Sequence, residues 1–257
     1  NDKKYELTAN DGPNNLHSGM DFYRNRIWAA EYETGVNQVS FTLESPDGDQ
    51  GYPGNASIRV TYTLTDENEV KIHYEGTCDQ DTIFNMTNHA YFNLAGHASG
   101  SAMHQKAWID ADQFTIADQY SIPTGDLVPV KGTPMDFTSL KYIDQDIEAD
   151  YEPLKFAGGY DHNWVIDRKT ESGIEQVATV WEPASGRTIE VLSDQPGLQV
   201  YSGNFFDGKS IGKYGKPQRY RESLALETQK FPDSPNHDNF PSTVLRPGET
   251  YTQVCIY

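Results

Sequence analysis

Cysteine is scarce in this sequence. Of 257 residues, two are cysteine, Cys78 and Cys255, which excludes a disulfide-dense scaffold and a multi-cysteine zinc site. Two thiols suit a reducing compartment, and the cytoplasm is the expected location. Long apolar runs are also missing. None approaches the roughly 20 residues that a membrane-spanning helix needs, so a soluble chain without a membrane partner is expected. The opening residues, Asn1 to Glu6, are polar and charged and predict no signal peptide on this chain. Positive charge is thin: 20 Lys and Arg stand against 38 Asp and Glu, a net charge of −18. Such a surface repels phosphate backbones and anionic lipid, so nucleic acid is not an expected partner. There is no His-Glu-x-x-His pattern, no paired-cysteine pattern and no Asp-rich calcium loop, so no metal is expected. His162 and His237 stand alone and read as non-ligands. A Gly-rich phosphate loop leading into a helix is absent, as is a Gly-x-Ser-x-Gly nucleophile turn. Without a fixed repeat or a low-complexity linker, residues 1–257 read as one domain.

What the sequence has is aromatic and turn residues: 16 Tyr, 11 Phe, 21 Gly and 14 Pro. Tyr and Phe suit pleated, half-buried surfaces, and Gly and Pro punctuate turns. Alternation is clearest between Ala56 and Thr77. Ile58, Val60, Tyr62 and Leu64 fall on one face, Val70, Ile72 and Tyr74 continue it, and Asp66-Glu67-Asn68 lies between, which predicts a β-hairpin. Further strands are expected over residues 39–43, 106–109, 176–181, 188–192, 197–202, 223–229 and 251–256. No amphipathic helix of three turns is apparent. The best one-turn candidates are Thr138-Ser139-Leu140 and Asp144 to Ala149. Many short strands with turn signals predict an all-β sandwich or barrel.

Three segments place titratable residues among aromatics, where acid–base groups are sought. In Asn88-His89-Ala90-Tyr91-Phe92-Asn93, His89 interrupts an aromatic, strand-like run. Taken alone it reads first as a core histidine bonded to a carbonyl. In Gly158-Gly159-Tyr160-Asp161-His162-Asn163-Trp164, a tight turn delivers three polar residues to the start of a strand at Trp164. Asp161 there fits a sugar-binding cluster and an Asx turn equally well. In Ser223-Leu224-Ala225-Leu226-Glu227-Thr228-Gln229, Glu227 shares a face with Ala225 and Gln229. That face is either wet or, because Ala225 is small, roomy enough for a ligand.

Taken together, these segments resemble the aldose 1-epimerase (galactose mutarotase) family. The matching stretches are Asn10-Asp11-Gly12-Pro13-Asn14-Asn15-Leu16-His17-Ser18-Gly19, Thr87 to Leu94, Gly159 to Asn163, Gln195 to Phe205, Leu226 to Asn236 and Leu245 to Glu249. Six matches in the family's order across nearly the whole chain make the resemblance specific. It implies a β-supersandwich of large antiparallel sheets, interconversion of the α and β anomers of hexoses such as galactose and glucose, and no cofactor. Residue by residue it implies that His89 is the general acid and Glu227 the general base, and that His17, Asp161 and Gln199 bind the sugar. Tyr91, Trp164 and Phe231 would be available to stack on it. Ser18 stands where the family usually has glycine.

Family chains usually begin several strands earlier, with an Asn-Arg pair that touches the sugar. Here the matched region starts almost at residue 1, and Arg24 and Arg26 follow His17 rather than precede it. An unpaired sheet edge left in this way implies a homodimer or a second chain supplying the N-terminal strands. Three other readings compete: a glycoside hydrolase using Asp161 and Glu227, a non-catalytic sugar-binding module, and a relative acting on phosphorylated hexoses. The acidic charge gives the last little support.

Overall fold

The computed structural model describes residues 4–257. The chain resolves into two compact units: one runs to Asn85 and resumes for Thr243–Val254, and the other comprises Met86–Ser242 and Cys255–Tyr257.

In the first unit, β1 (Ala29–Tyr32), β2 (Gln38–Ser45), β3 (Ala56–Leu64) and β4 (Val70–Cys78) are antiparallel neighbours in that order. The expected hairpin is β3–β4, paired from Ala56↔Cys78 to Leu64↔Val70. Ile58, Val60, Ile72 and Tyr74 are buried as the alternation predicts, while Leu64, at the strand's end, is exposed. Thr61 departs from the pattern. It is buried on the other face because its hydroxyl pairs with that of Ser40 at 2.9 Å. The short β5 (Thr82–Ile83) completes this stretch of the unit.

The second unit carries β6 (Tyr91–Phe92), β7 (Lys106–Ile109), β8 (Gln113–Ala117), β9 (Pro123–Pro129), β10 (Lys141–Tyr142), β11 (Asp161–Val165), β12 (Glu175–Trp181), β13 (Thr188–Ser193), β14 (Gly197–Tyr201), β15 (Asp207–Ile211), β16 (Pro217–Arg219) and β17 (Leu224–Gln229). The chain then returns to the first unit with β18 (Val244–Leu245), which pairs with β5, and enters β19 (Tyr251–Ile256). The last two residues of β19, Cys255 and Ile256, pair with Ser193 and Leu192 in the second unit.

Two antiparallel layers form the second unit. One is a six-stranded sheet in the order β6-β17-β14-β11-β8-β9, and the other contains β13, β12, β7 and β10 as successive neighbours. Their facing sides meet in a core that includes Phe114, Trp164, Leu198, Leu224 and Leu226 from the first layer and Ile109, Ala178, Val180 and Val191 from the second. Trp164 has no exposed surface, and its Nε1 donates to the Met135 carbonyl at 3.0 Å, which satisfies its one polar atom. The all-β sandwich expected from the strand pattern is therefore observed.

The helical turns lie elsewhere than expected. The α-helix among the described residues is α1 (Glu152–Ala157), which carries Pro153 in its first turn and stops at Gly158 with φ +68°. Of the two short candidates, Asp144 and Gln145 join a 3₁₀ turn over Ile143–Gln145. Thr138 to Leu140 forms no helix, because the Asp136 carboxylate accepts both the N–H (3.1 Å) and the hydroxyl (2.6 Å) of Thr138 and offers the backbone a tighter turn. The sequence reading also missed β1, β5, β8, β9, β10, β15, β16 and β18, and β11 starts at Asp161, three residues before the expected Trp164.

Candidate active site

The site is assembled on one face of the six-stranded sheet. Side chains alternate across a strand, and residues directly paired on neighbouring strands share a face. His162 and Trp164 on β11, Leu198 and Val200 on β14, and Leu224 and Leu226 on β17 turn to the core. The intervening residues turn the other way, and the register aligns them in two rows. One row is Asn163–Gln199–Glu227 and the other is Asp161–Tyr201–Ala225–Tyr91. Three of the five expected site residues thus come onto one face from three segments far apart in sequence.

A fourth arrives from a loop. His89 lies between β5 and β6, outside regular structure, and its Nε2 stands 3.4 Å from Glu227 Oε1. The segment is tied to β17 by the Thr87 hydroxyl, which donates to the Thr228 carbonyl at 3.1 Å, and is shaped locally by the Ala90 N–H, which donates to the Asn88 side chain at 2.9 Å. Beside this pair, Gln199 Nε2 donates to Asp161 Oδ1 at 2.7 Å.

Burial sets the electrostatics. Glu227 is 5 % exposed. Loss of solvation, assisted by the negative charge of Asp161, pushes its carboxyl up to about 8. Asp161 is pushed up to about 6 by burial, against the lowering effect of the Gln199 hydrogen bond. The face therefore holds two carboxyl groups whose proton affinities are moved toward neutrality, as acid–base work requires. His162, between these residues in sequence, lies on the opposite face and is pushed down to about 4 by burial. Its Nδ1 accepts the Asp161 N–H at 3.1 Å, so it is a neutral core histidine.

His17 belongs to the first unit. It is exposed, has φ +49°, and meets the Phe22 ring edge-on at 6.1 Å. The turn that carries it is organised by Asn10, whose amide donates to the carbonyls of Leu16 (2.9 Å) and Gly19 (3.0 Å). Ser18 follows with φ +69°, a left-handed conformation that glycine adopts without strain.

The expected stacking residues divide. Tyr91 is 44 % exposed and packs on the His89 ring at 4.8 Å between centroids. Trp164 faces the core and is not available to a sugar on the polar face, while Phe231 is buried against Phe240 at 5.2 Å.

Sequence reading missed Asn163 and Tyr201. Asn163 is 1 % exposed, and its carboxamide atoms, like Gln199 Oε1, have no hydrogen-bond partner among the described residues. The alternation Asp161, Asn163 could have found it once the strand start was placed correctly. Gly197 makes room for this side chain, since a Cβ there would lie 2.4 Å from Asn163 Oδ1 and 3.0 Å from the Gln229 carbonyl. Gly197→Ala is expected to destabilise the protein by about 1–3 kcal/mol through overpacking. Urea unfolding would measure this, and an unchanged midpoint would contradict the tight fit.

Comparison with known proteins gives the arrangement its family. The aldose 1-epimerase family model matches residues 1–257. The human galactose mutarotase is 39 % identical over 249 residues, covering 97 % of this chain and 70 % of that protein. The aldose 1-epimerase of Escherichia coli K12 is 40 % identical over 253 residues, covering 98 % of this chain and 72 % of that protein. Among solved structures, an aldose epimerase homologue from C. elegans superposes with a TM-score of 0.89 at 32 % identity, over 99 % of this chain and 75 % of the other. The galactose 1-epimerase of Lactobacillus acidophilus superposes at 0.83 with 26 % identity, over 98 % and 71 %. With its sandwich fold and its polar sheet face, the chain belongs to the aldose 1-epimerase family.

Proposed function

We propose that this chain interconverts the α and β anomers of hexoses such as galactose and glucose, with Glu227 as general base and His89 as general acid. The observation that carries this reading is the His89–Glu227 pair, 3.4 Å apart, with Asp161 and Gln199 joined beside it. Mutarotation breaks the bond between C1 and the ring oxygen. The C1 hydroxyl gives its proton to the Glu227 carboxylate and becomes the aldehyde, while the ring oxygen takes a proton from the His89 imidazolium. Rotation about C1–C2 then presents the other face, and the two groups exchange roles as the ring recloses. A carboxyl group and an imidazole with one exchangeable proton between them have the stoichiometry that each half-reaction needs. Positioned acid–base groups typically contribute about 10²–10⁴-fold each. Asp161 and Gln199 would hold hydroxyls so that both transfers align, and His17 is assigned to sugar binding by the family match.

The same reading treats residues 1–257 as one functional domain and places the protein in the cytoplasm. The two buried free thiols, Cys78 and Cys255, support that location, and no helix of the described residues is long and apolar enough to cross a membrane. All four residues of the edge strand β1 are exposed, which favours pairing there with a second copy or another chain.

Polarimetry with freshly dissolved α-D-galactose and α-D-glucose tests the activity. Acceleration over buffer, with no new reducing ends released from glycosides, is the expected result. A rate equal to buffer would overturn it. Release of reducing ends would instead favour hydrolysis by Asp161 and Glu227.

A further inference from the structure

His89 lies outside any strand, so the direction of its imidazole is set by what packs around it. The sheet register places Ala225 of β17 between two tyrosines on one face, Tyr201 of β14 on one side and Tyr91 of β6 on the other. Cross-strand neighbours on one face stand about 4.5–5.5 Å apart at Cβ. Two tyrosines flanking an alanine therefore enclose a gap the size of a ring. The rings lean together over it, with Tyr91 and Tyr201 centroids 6.3 Å apart at 67°. The third ring in this group is His89, 4.8 Å from Tyr91 and 6.2 Å from Tyr201, edge-on to the latter at 77°. Both spacings lie in the range where aromatic pairs attract and hold a preferred orientation.

Tyr201 is itself fixed. It is 8 % exposed, its hydroxyl accepts the Phe205 N–H at 3.0 Å, and its ring stacks on that of Phe205 at 22°. Ala225 has no exposed surface. On β17 it lies two residues before Glu227 on the same face, so an imidazole resting over its methyl group points along the strand toward the carboxyl group.

We propose that Tyr201 is a positioning residue for the reaction. Its ring edge and the methyl of Ala225 form the seat that holds the His89 imidazole toward Glu227. The proposal rests on the reading of His89 as the acid group, and it explains why a small residue occupies a buried sheet position beside the site. Acid–base catalysis is sensitive to this placement: a shift of about 1 Å in a reacting group can cost on the order of 10²-fold.

The test compares Tyr201→Leu, Tyr201→Phe and Ala225→Val on the full chain. Steady-state mutarotation is measured by polarimetry, and the His89 ring resonances are followed by NMR on histidine-labelled protein, a readout that needs no turnover. Tyr201→Leu removes the ring edge and should lower kcat by about 30–100-fold with KM within about threefold. Tyr201→Phe keeps the ring and should retain kcat within about threefold, so the conservative change rescues. Ala225→Val fills the seat and should lower kcat at least about tenfold. In both impaired variants the His89 resonance should move. The proposal is overturned if Tyr201→Leu and Ala225→Val keep kcat within threefold with the His89 resonance in place. It is equally overturned if Tyr201→Phe loses as much as Tyr201→Leu, since the hydroxyl and not the ring would then be at work. Should Tyr201→Leu fail to fold, Ala225→Val decides. If the wild type has no mutarotase rate, the epimerase reading fails, while the NMR comparison still decides whether these residues hold His89.

Discussion

Glu227→Gln is expected to abolish most of the mutarotase rate while making the protein more stable in neutral and mildly alkaline solution. The substitution keeps the size of the side chain and its place on β17, and removes the carboxylate that stands 3.4 Å from His89 Nε2. A loss of about 10²–10⁴-fold in kcat follows if Glu227 carries the proton transfer at C1. The stability effect has the opposite sign. In the folded protein the carboxyl group is pushed up to about 8 by burial and by Asp161, whereas in the unfolded chain it titrates near its ordinary value of about 4.3. Between those values the unfolded state has released a proton that the folded state still binds, so wild-type stability falls as pH rises. Below pH 4 the two proteins should be alike, because glutamine resembles the neutral acid. By pH 8 the variant should lead by a few kcal/mol. Urea unfolding at pH 4, 6 and 8 beside polarimetry checks both halves. A variant that retains its rate, or a stability difference that does not grow with pH, would remove Glu227 from the role given to it.

The second large effect concerns His162. It is 4 % exposed, touches Phe114 and Trp164 at centroid distances of 6.0 and 6.4 Å, and is pushed down to about 4 by loss of solvation. Its folded value lies below its unfolded value of about 6.5. The stability it contributes is therefore complete above pH 6.5 and is lost as pH falls through about 4, because the unfolded chain takes up a proton that the core refuses. The loss at pH 4 is about 3 kcal/mol, a large share of a typical domain's stability. His162→Asn should flatten this acid limb, and the His162 resonance should show no titration between pH 5.5 and 8. A normal titration near 6.5 would mean that the ring meets water. Since β11 also carries Asp161 and Asn163 on its other face, acid loosening of this core should disorder the site at the same time.

How much of this was legible in the sequence differs from segment to segment. The β3–β4 hairpin was readable because period-2 alternation over nine-residue strands is a strong signal. The strand β11 was legible only from Trp164 onward, since Asp161-His162-Asn163 looks like a turn when burial is unknown. The α1 turn was hidden because six residues give too little periodicity, although Pro153 at its start and Gly158 at its end mark it. Of the expected turn over Asp144 to Ala149, Asp144 and Gln145 lie in a 3₁₀ turn over Ile143–Gln145.

The sequence by itself determined the fold class, through short alternating strands and frequent turn residues, and the family, through six ordered segments that need no coordinates to recognise. What it left open at His89, Asp161 and Glu227 was whether each side chain is a bland core or surface residue or part of a site. That depends on which strands lie side by side, a long-range property that no local window contains. Only the tertiary structure paired β11, β14 and β17 in a register that puts Asp161, Gln199 and Glu227 on one face, and only burial at that face moves two carboxyl groups toward neutrality. The small Ala225, ambiguous in the sequence, is seen in the structure to lie between Tyr91 and Tyr201, and the His89 ring packs against both tyrosines.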